Sequence, residues 1–483
     1  MSEIPSALLD EFAALLGPKG FITDQDAIAP WLTDWRGRYR GAAAALLSPD
    51  DVDGVAAVMR LAAAHGVPLV PQGGNTSMVG GATPPSDGSA LLLSLRRMNR
   101  IRRLAPEEGV AVAEAGVILA NLHDAAAERG MRFPLTLGGK GSATVGGLVS
   151  TNAGGTQVLR FGTMRALTLG IEAVLPDGTI YAGLNPLKKD NRGYDLKHLL
   201  VGAEGTLGVV TAASLTIVPA VMDRAVGWIG LDSPHIALDL LRFLESRLGD
   251  ALEGFEIIPA DSLGLVFKHI AGTRPPLAGD HRWHALVELV RDDADDPEPH
   301  AVLENALGEA LVRGLCEDAT IAASEAQADA FWKLRESLSE AERASGAAVQ
   351  HDISVPVAGM PDFIVSAGRA VKQAFPGVTV GAFGHLGDGN VHFHVRAPAG
   401  ADRAQWTADP GAAISRFVHD LVVAAGGSIS AEHGIGQMKR AENARLADPA
   451  RLHALTAIKA ALDPKGLMNP GKLVPLASEA SAP

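Results

Sequence analysis

The sequence predicts an α+β protein built of two domains that differ in glycine content and in helix length. Glycine-rich loops between short strands and helices dominate the chain up to Pro219, whereas longer helices alternate with strands after it. At 483 residues the chain is also too long for one ordinary hydrophobic core. We therefore expect a helical segment at 1–40, a first domain at 41–220, a second domain at 221–475 and a disordered tail at 476–483.

The elements of the first domain follow from the periodicity of its apolar residues. Apolar side chains at helical spacing predict helices in the N-terminal segment, over 51–65 and over 117–129. Alternation and β-branched residues predict strands at 67–71, within 91–115, in a hairpin over 170–184 and over 208–219. Two segments that hold much of the glycine, 72–81 and 137–155, stay outside these elements.

The second domain contains longer helices, which the same spacing places at 234–248, 301–315 and 324–345. Strands such as 283–290 and 391–395 lie between them. Helices that are segregated from the strands in this way indicate an antiparallel sheet with flanking helices.

Composition and charge narrow the functional classes. Hydrophobic residues make up 47% of the chain and charged residues 20%, as in globular domains. No apolar run approaches the roughly 18 to 20 residues that span a bilayer, and the first residues lack the pattern of a signal peptide. A net charge of −13 argues against nucleic acid as a partner. We expect a cytoplasmic protein without a transmembrane segment.

Metal-binding residues concentrate in two segments far apart in the chain. His385, His392 and Glu432 are suitable ligands for zinc or a similar divalent metal, and three protein ligands leave a position open for substrate. The single cysteine, Cys316, excludes a cysteine-based cluster, so histidine and carboxylate must supply the ligands. By themselves these residues also fit a metal hydrolase that activates water.

The strand predicted after the glycine-rich turn at 385–390 carries a second histidine. Because side chains alternate along a strand, His392 and His394 should project from the same face. His433, next to Glu432, is suited to act as a general base, since imidazole titrates near neutral pH.

The two glycine-rich segments of the first domain predict a phosphate-binding cradle of an uncommon kind. Neither segment contains GxGxxG at the start of a long helix, and neither contains GxxxxGK[ST]. Consecutive small residues at 73–77 can direct several backbone N–H groups at one anion, with Asn75, Thr76 and Ser77 adding side-chain donors. Seven glycines within 137–155 would allow an extended cofactor to approach the backbone.

Four motifs in this order resemble the FAD-binding segments of the vanillyl-alcohol oxidase/p-cresol methylhydroxylase superfamily. They are Pro71-Gln72-Gly73-Gly74-Asn75-Thr76-Ser77, Val145-Gly146-Gly147 with Thr151-Asn152-Ala153-Gly154-Gly155, Gly202-Ala203-Glu204-Gly205-Thr206-Leu207-Gly208, and Met468-Asn469-Pro470-Gly471-Lys472. The resemblance implies a two-subdomain FAD-binding domain of the p-cresol methylhydroxylase type. No histidine or cysteine lies between His65 and His123, which favours non-covalent FAD.

The resemblance also assigns the cofactor-binding residues. Residues 72–77 would hold the pyrophosphate, 137–155 would follow the flavin and ribityl chain, 204–207 would bind near the adenosine, and Asn469 would approach the isoalloxazine. The candidates are Gln72, Gly73, Gly74, Asn75, Thr76, Ser77, Leu137, Gly138, Ser142, Thr144, Gly147, Asn152, Gly154, Gly162, Glu204, Gly205, Leu207 and Asn469.

The second domain resembles the catalytic domain of the D-2-hydroxyacid dehydrogenases of this superfamily, most closely the D-2-hydroxyglutarate dehydrogenase group. That resemblance makes His385, His392 and Glu432 the metal ligands and His433 a substrate-binding general base, with hydride passing to the flavin. Arg335 would bind the substrate carboxylate through its planar donor fork. Ser339 would bind the same ligand from the same helix face.

Two positions depart from that group and bear on the substrate. The group has a lysine that helps to bind a dicarboxylate where this chain has Gln350, and an asparagine where it has His394. A neutral amide in place of a fixed cation weakens the case for a second carboxylate. D-2-hydroxyglutarate remains the first candidate, followed by D-lactate, other D-2-hydroxy acids and the role of a glycolate oxidase-like subunit.

The residues leave further alternatives open. A metal hydrolase would lack flavin, and a non-catalytic subunit of a larger oxidoreductase would keep the flavin fold without turnover. Because the chain has no cysteine cluster for an iron–sulfur relay, electrons must leave through a partner such as an electron-transfer flavoprotein, or through a quinone, a dye or oxygen. The resemblance favours the flavoprotein and a homodimer.

Overall fold

A computed structural model describes residues 4–187 and 189–475. The chain divides into two compact units. Unit 1 comprises 1–155, 161–219 and 432–483, and unit 2 comprises Thr156–Arg160 and Ala220–Ala431. The predicted tail at 476–483 lies outside the described residues.

The N-terminal part of the chain, up to Pro219, alternates short strands with helices. The helices are α1 Ser6–Gly20, α2 Gln25–Leu32, α3 Val52–His65, α4 Leu119–Ala127, α5 Val145–Thr151, α6 Val158–Phe161, α7 Met164–Leu167 and α8 Leu196–Leu200. The strands are β1 Phe21–Ile22, β2 Leu46–Leu47, β3 Leu69–Gln72, β4 Leu91–Ser94, β5 Ile101–Ala105, β6 Val110–Glu114, β7 Met131–Arg132, β8 Thr168–Val174, β9 Ile180–Gly183, β10 Val209–Thr216 and β11 Val218–Pro219.

These strands form two main sheets, as a two-subdomain arrangement requires. A four-stranded sheet has the order β1-β2-β4-β3, in which β2, β4 and β3 are parallel. A five-stranded antiparallel sheet has the order β5-β6-β10-β8-β9, and β7 pairs with β11 separately. The predicted hairpin is the β8–β9 pair.

Helix α3 illustrates how local sequence fixes an element of unit 1. The Asp51 side chain accepts a hydrogen bond from the Gly54 N–H at 2.7 Å and caps the helix, which typically stabilises it by about 1 kcal/mol. Gly66, with φ of +67°, ends it. The face that carries Val58 and Met59 is buried against the four-stranded sheet. The chain then turns directly into β3, which leads to the first glycine loop.

Unit 2 is built on one antiparallel sheet of seven strands with helices packed against it. Its strands are β12 Asp223–Leu231, β13 Leu252–Pro259, β14 Trp283–Arg291, β15 Asp318–Ile321, β16 Ala348–Ser354, β17 Thr379–His385 and β18 Asn390–Arg396, in the order β15-β12-β14-β13-β17-β18-β16. Its α-helices after Pro219 are α9 Pro234–Leu248, α10 Ala260–His269, α11 Pro299–Val312, α12 Glu325–Glu336, α13 Leu338–Ala344, α14 Met360–Ala374, α15 Arg403–Ala408 and α16 Pro410–Ala424. The predicted α+β class with an antiparallel sheet is confirmed.

One predicted helix of unit 2 is wrong. The segment 324–345 forms two helices, because Ser337 has φ of −76° and ψ of −9° and separates α12 from α13. Arg335 and Ser339 therefore lie on different helices and do not share one helix face.

The C-terminal segment returns to unit 1 and contributes α17 Arg440–Leu446 and α18 Pro449–Leu462. On the basis of glycine content and helix length, we had placed this segment in the second domain, which we expected to extend to residue 475. The contacts divide the chain differently: the Asn469 N–H donates to the Leu69 carbonyl at 2.8 Å, and Met468 forms a bridge with the same residue. The segment thus packs against β3 and the loop that follows it.

Candidate active site

The first glycine loop, 73–77, is held in place by the side chains at and beside it. Gln72 is buried, and its Nε2 donates to the Trp31 carbonyl at 2.9 Å and to the Ala82 carbonyl at 2.8 Å. Asn75 has φ of +52°, and its Nδ2 donates to the Thr33 carbonyl at 2.8 Å. We expected the Asn75 amide to face a phosphate, but it anchors the loop instead.

The backbone of the same loop offers the anion-binding groups. Within the described ranges, no residue accepts a hydrogen bond from the backbone N–H groups of 73–77, although these residues are only partly exposed. Backbone N–H groups that are half-buried normally have a partner. A run of unpaired N–H groups is the arrangement that binds a phosphate.

The second glycine segment packs directly on the first. A Cβ on Gly74 would lie 1.8 Å from the Ser142 carbonyl oxygen, and a Cβ on Gly73 would lie 2.3 Å from Thr144 Oγ1. Side chains at these two positions are therefore excluded. Among the described residues, none forms a hydrogen bond with the buried Thr144 Oγ1, which is therefore available to a bound ligand.

The segment 137–155 contains a helix that we did not predict from the sequence. It contains α5, which ends at Asn152 in the left-handed region, with φ of +50°. The Asn152 Oδ1 accepts hydrogen bonds from Thr163 Oγ1 at 3.0 Å and from the Arg165 N–H at 2.8 Å. Gly162, with φ of +73°, lies in the turn just before these partners. Asn152 and Gly162 thus shape the backbone around α5.

Asn469 connects two of the segments of unit 1 that we predicted to bind the cofactor. Its Nδ2 donates to the Gly81 carbonyl at 2.9 Å and to the Glu204 carbonyl at 2.7 Å. Within the part of the chain that the structure describes, its Oδ1 is buried without a hydrogen-bond partner. We predicted this residue at the cofactor, and in the structure it connects Gly81 with Glu204.

Lys459 is a residue that sequence reasoning missed. Its buried Nζ donates to the Thr206 carbonyl at 2.7 Å, to the Met468 carbonyl at 2.9 Å and to Asp463 Oδ2 at 2.6 Å. It thereby ties 204–207 to the segment that carries Asn469. The only signal in the sequence was a lysine and an aspartate four residues apart, a spacing that surface helices also show.

The Glu204 carboxylate forms its hydrogen bonds with another segment of unit 1, whereas we expected this side chain to bind near the adenosine of FAD. Oε1 accepts the Ile435 N–H and Oε2 accepts the Gly436 N–H, each at 2.7 Å. Burial raises the pKa of this carboxyl, while the two N–H donors and the charges of Lys439 and Lys472 oppose that rise. The carboxylate is therefore occupied by the segment that follows Glu432 and His433.

In unit 2, strand register brings the predicted residues onto one sheet face. The pairs Phe383 with His392 and Gly381 with His394 lie across β17 and β18. On the other side of β18, Gln350 of β16 pairs with His394. Because alternate residues share a face, the two histidines of β18 project together, as predicted.

The turn between β17 and β18 depends on glycine. Gly389 has φ of +81°, and a Cβ there would lie 2.1 Å from the Val355 carbonyl oxygen. The Asn390 N–H donates to Asp388 Oδ1 at 2.9 Å, and the Asn390 Nδ2 donates to Asp352 Oδ1 at 2.9 Å. These contacts fix the register that places the histidines.

A buried carboxylate, Glu256 of β13, organises this face and was missed in the sequence. Its Oε1 is hydrogen-bonded to His385 Nδ1, and its Oε2 accepts from Arg335 Nε at 2.7 Å. Burial raises the pKa of Glu256, but the charge of Arg335 and the contact with His385 outweigh that effect and hold it well below its usual range. The signal was a glutamate inside the apolar strand 252–259.

The contact with Glu256 sets the chemistry of His385. With Nδ1 directed at a carboxylate, Nε2 is the ring nitrogen at which a metal would bind. Arg335 Nη2 lies 3.4 Å from this nitrogen, and the Arg335 guanidinium also lies over the Phe383 ring, 5.5 Å from its centroid.

The two histidines predicted to bind a metal lie together in unit 2. A ring nitrogen of His385 and one of His392 lie within 4.8 Å of each other, and the ring centroids are 5.9 Å apart. Glu432 and His433 belong to unit 1, with a carboxylate oxygen and a ring nitrogen also within 4.8 Å of each other. Two imidazoles and a carboxylate form a donor set that suits zinc and similar divalent metals.

A buried ion pair lies beside His394. Glu342 of α13 accepts two hydrogen bonds from Arg396, each at 2.6 Å, and one from Ser262 Oγ at 2.9 Å. A Glu342 oxygen also lies 3.9 Å from His394 Nδ1. Arg396 follows His394 by two residues on β18, yet Glu342 takes up its charge. Ser339 lies one helical turn before Glu342 on α13 and is partly exposed.

Comparison with protein families matches both parts of the chain. The model described as FAD linked oxidases, C-terminal domain, matches residues 222–473, and the model described as FAD binding domain matches residues 43–182. The first of these includes the C-terminal segment that packs in unit 1, so the family domain and the compact unit end at different residues.

Curated relatives align over nearly the whole chain. The mitochondrial D-2-hydroxyglutarate dehydrogenases of Arabidopsis thaliana and Bos taurus are each 36% identical, covering 98% and 96% of this chain and 82% and 84% of their own length. A D-2-hydroxyglutarate–pyruvate transhydrogenase of Saccharomyces cerevisiae is 32% identical and covers 96% of this chain and 93% of its own length.

These names overturn one expectation. We predicted a cytoplasmic location, but the plant and bovine relatives are named mitochondrial, so that prediction is wrong. Composition gave no signal that separates one reducing compartment from another. Among the helices of the described ranges, none combines the length and apolar character needed to cross a bilayer.

Solved structures support the fold. The chain superposes on p-cresol methylhydroxylase with substrate bound with a TM-score of 0.74 at 16% identity, covering 97% of this chain and 96% of the other. It superposes on alkyldihydroxyacetonephosphate synthase with a TM-score of 0.73 at 16% identity, covering 98% and 86%. The flavin fold and the family match replace the metal hydrolase alternative. The chain belongs to the FAD linked oxidase family and is an FAD-dependent oxidoreductase that acts on a CH–OH donor.

Proposed function

We propose that the chain oxidises a D-2-hydroxy acid to the 2-oxo acid, using non-covalent FAD and a divalent metal. The observation that carries the proposal is the sheet face of unit 2, where Glu256 holds both Arg335 and His385 beside His392. When bound, FAD accepts the hydride from the α-carbon, and the metal acts as a Lewis acid toward the hydroxyl and carboxylate oxygens.

The cradle of unit 1 fits FAD. Unpaired backbone N–H groups at 73–77 suit the pyrophosphate, and the buried Thr144 Oγ1 and Asn469 Oδ1 offer further partners. Non-covalent binding follows from the sequence around the loop, because histidine and cysteine are absent between His65 and His123.

His385, His392 and Glu432 are the proposed metal ligands, with zinc or a similar ion as the metal. The support lies in the donor types, in the proximity of the two imidazoles, and in Glu256, which holds His385 Nδ1 and so makes Nε2 the nitrogen offered to a metal. Carboxylates that hydrogen-bond a metal-binding histidine in this way usually raise metal affinity.

Arg335 and Ser339 are the proposed groups for the substrate carboxylate, and His433 is the proposed base. Arg335 uses Nε to bind Glu256, which leaves the outer edge of its guanidinium for a second carboxylate. Such an ion pair restrains the arginine, so that less side-chain entropy is lost when the substrate binds. His433 would take the proton of the substrate hydroxyl at a ring nitrogen.

The substrate is proposed as a D-2-hydroxy acid, with D-2-hydroxyglutarate as the first candidate because relatives carry that name. D-lactate, other D-2-hydroxy acids and the role of a glycolate oxidase-like subunit follow. Gln350 and His394 are cross-strand neighbours on the proposed substrate face, so both departures from the group act at one place. Glu342 neutralises the charge of Arg396. The surroundings of Gln350 and His394 therefore favour a smaller or neutral substrate end more than they would if position 350 were the lysine found in the group.

We also propose that electrons leave to an electron-transfer flavoprotein or a quinone, and that the protein is a homodimer. Both follow from the family resemblance. Reoxidation of the reduced enzyme by each acceptor class, and the mass of the holoenzyme by light scattering, test them separately.

Anaerobic flavin reduction tests the central proposal. The flavin absorbance should bleach on addition of a D-2-hydroxy acid, and both EDTA treatment and His392→Ala should abolish the bleaching. His300→Ala, at an exposed histidine of unit 2, is the matched control and should bleach normally. Bleaching that survives both EDTA and His392→Ala would disprove the metal role, and no bleaching by any D-2-hydroxy acid would disprove the reaction.

A further inference from the structure

The buried Glu204 carboxylate has no role in the chemistry described so far, yet its contacts are well defined. It receives one backbone N–H on each oxygen, from Ile435 and Gly436, both at 2.7 Å. Hydrogen bonds to a buried carboxylate are stronger than those between neutral groups. The segment that follows His433 is therefore held by two hydrogen bonds to one buried carboxyl group.

We propose that Glu204 is the positioning residue for His433, so that a residue of the cofactor-loop region fixes the direction of the catalytic base. This inference rests on the proposed role of His433 as general base. It replaces the expectation that the Glu204 side chain binds the adenosine end of FAD.

Glu204 is itself held rigidly within unit 1. Its backbone lies in the left-handed region, with φ of +52°, its N–H donates to the Ser150 carbonyl at 2.7 Å, and its carbonyl accepts from Asn469 Nδ2 at 2.7 Å. A residue fixed at both backbone groups directs its side chain in one direction. The carboxylate can therefore act as an anchor for another segment.

The segment that it anchors fits closely against the Glu204 carboxylate. Gly434 has φ of +79°, and a Cβ there would lie 2.8 Å from Glu204 Oε1. Gly436 has φ of +52°, and a Cβ there would lie 2.4 Å from the Val79 carbonyl oxygen. Glycine at both positions lets the backbone approach the Glu204 carboxylate and Val79 of the glycine-rich segment 72–81.

Further contacts extend this docking. The N–H groups of Gln437 and Met438 both donate to the Val79 carbonyl at 3.2 Å, and Gln437 Nε2 donates to the Gly80 carbonyl at 2.9 Å. His433 therefore precedes a segment that is bound at several points to the loops around the cofactor cradle. Loss of the Glu204 contacts releases the end of that segment nearest to His433.

Two buried lysines favour the ionised form of Glu204. Lys439 and Lys472 are both buried and act electrostatically on the carboxylate. Burial and the charge of Arg440 lower the pKa of Lys472 to about 8, and Glu204 opposes that effect. A neutral side chain at 204 would remove this electrostatic interaction with the two lysines and would also break one N–H contact.

Glu204→Gln separates the two possible roles. The amide keeps the shape but presents an NH₂ group to one of the two N–H donors. A displacement of the base by about 1 Å costs roughly 100-fold in rate. We expect the rate of anaerobic flavin reduction per bound flavin to fall by about that factor, with FAD occupancy retained and substrate KM little changed. Glu204→Asp should fall as well, because its carboxylate cannot reach both donors.

Glu172→Gln is the matched control, since Glu172 is another hydrogen-bonded carboxylate of unit 1, paired with Arg102 and Thr211. It should reduce its flavin at the wild-type rate. Loss of FAD from Glu204→Gln with an unchanged rate per bound flavin would overturn the inference and restore the adenosine role.

Hydrogen exchange keeps the test decisive if the variants fold poorly. In the wild-type holoenzyme the Ile435 and Gly436 amides should be protected, and unprotected amides there would overturn the inference. His433→Ala distinguishes the two proposals: undiminished flavin reduction in that variant refutes the base assignment, whatever the exchange at 435 and 436 shows.

Discussion

The cofactor cradle of unit 1 and the sheet face of unit 2 bind their proposed ligands by different means. At 73–77 the groups offered are backbone N–H groups, and the side chains of Gln72 and Asn75 face inward to support the loop. On the sheet face the groups offered are side chains, and a buried carboxylate, Glu256, orients them. A backbone site is sensitive to added bulk, whereas a side-chain site is sensitive to the loss of a single charge.

This difference has a physical reason. Backbone N–H groups carry partial charges and need only close packing to keep their direction. Arg335 and His385 carry full or titratable charge in a buried place, and an uncompensated buried charge is costly. The two sites should therefore fail in different ways when one residue changes.

The largest effect should come from Glu256→Gln. Removing the carboxylate leaves the buried Arg335 guanidinium without its anion, which should destabilise the protein by about 3–5 kcal/mol. Because the folded pKa of Glu256 is lowered, its contribution is fully present at neutral pH and is lost only as the pH falls below about 4. Urea denaturation at pH 7 measures it.

An exposed pair supplies the control for that prediction. Glu325→Gln removes a surface partner of Arg224 and should cost at most about 1 kcal/mol. If both variants lose similar stability, Glu256 does not have the organising role that we give it.

The next effect concerns pH and another part of the unit 2 sheet. Burial and the charge of His281 lower the pKa of His284 to about 4, and the Trp228 indole N–H donates to its Nδ1 at 3.2 Å. A lowered histidine pKa stabilises the fold above about 6.5, and that stability is lost as the pH falls toward the folded value. The shift corresponds to about 3 kcal/mol.

His284→Gln tests this contribution because its carbonyl can still accept from Trp228. The difference in unfolding free energy between wild type and variant should shrink by about 3 kcal/mol between pH 7 and pH 4. A difference that stays constant over that range would mean that His284 does not titrate as described.

For the backbone site, Gly74→Ala should have a smaller effect on stability but a large one on cofactor. Its Cβ would lie 1.8 Å from the Ser142 carbonyl oxygen, so the two glycine segments must separate, at a cost of about 1–3 kcal/mol. We expect purified Gly74→Ala to have lost its flavin absorbance.

Gly264→Ala, at an exposed position of α10 in unit 2, is the control. No atom of the described residues lies within 4 Å of a Cβ at that position, and the variant should retain FAD and its melting temperature. Equal flavin loss in the two variants would show that packing between the segments does not decide binding.

The smallest effect should come from Asn75→Gly. Glycine accepts the positive φ without strain, so only the hydrogen bond to the Thr33 carbonyl is lost, at about 1 kcal/mol. Thermal denaturation measures the loss. If FAD binding is abolished although the fold is intact, the Asn75 amide binds the cofactor directly, contrary to its observed direction.

Much of the fold was predictable because it depends on local pattern. The Asp51 cap, the apolar face of α3, the turn at 176–178 and the alternation in β18 are properties of neighbouring residues. The break at Ser337 was not predictable, because the residues on both sides of it favour helix. The grouping of Asn469 with unit 1 was also hidden, since it depends on contacts with Leu69, some 400 residues earlier.

The sequence by itself determined the chemistry that this protein can perform: glycine loops without a common nucleotide motif, a set of histidines with a carboxylate, and an arginine suited to an acid. These are statements about residue types and their spacing. Motif resemblance then indicated the family, and the comparisons confirmed it.

Only the tertiary structure decided which groups support the site. Three residues look like ordinary charged residues in the sequence but are buried and hydrogen-bonded in the structure, namely Glu256, Lys459 and Glu342. The direction of Glu204 was likewise invisible, because its partners at 435 and 436 lie more than 200 residues away. Ligand types are encoded locally, whereas the partners that orient them are selected by long-range packing.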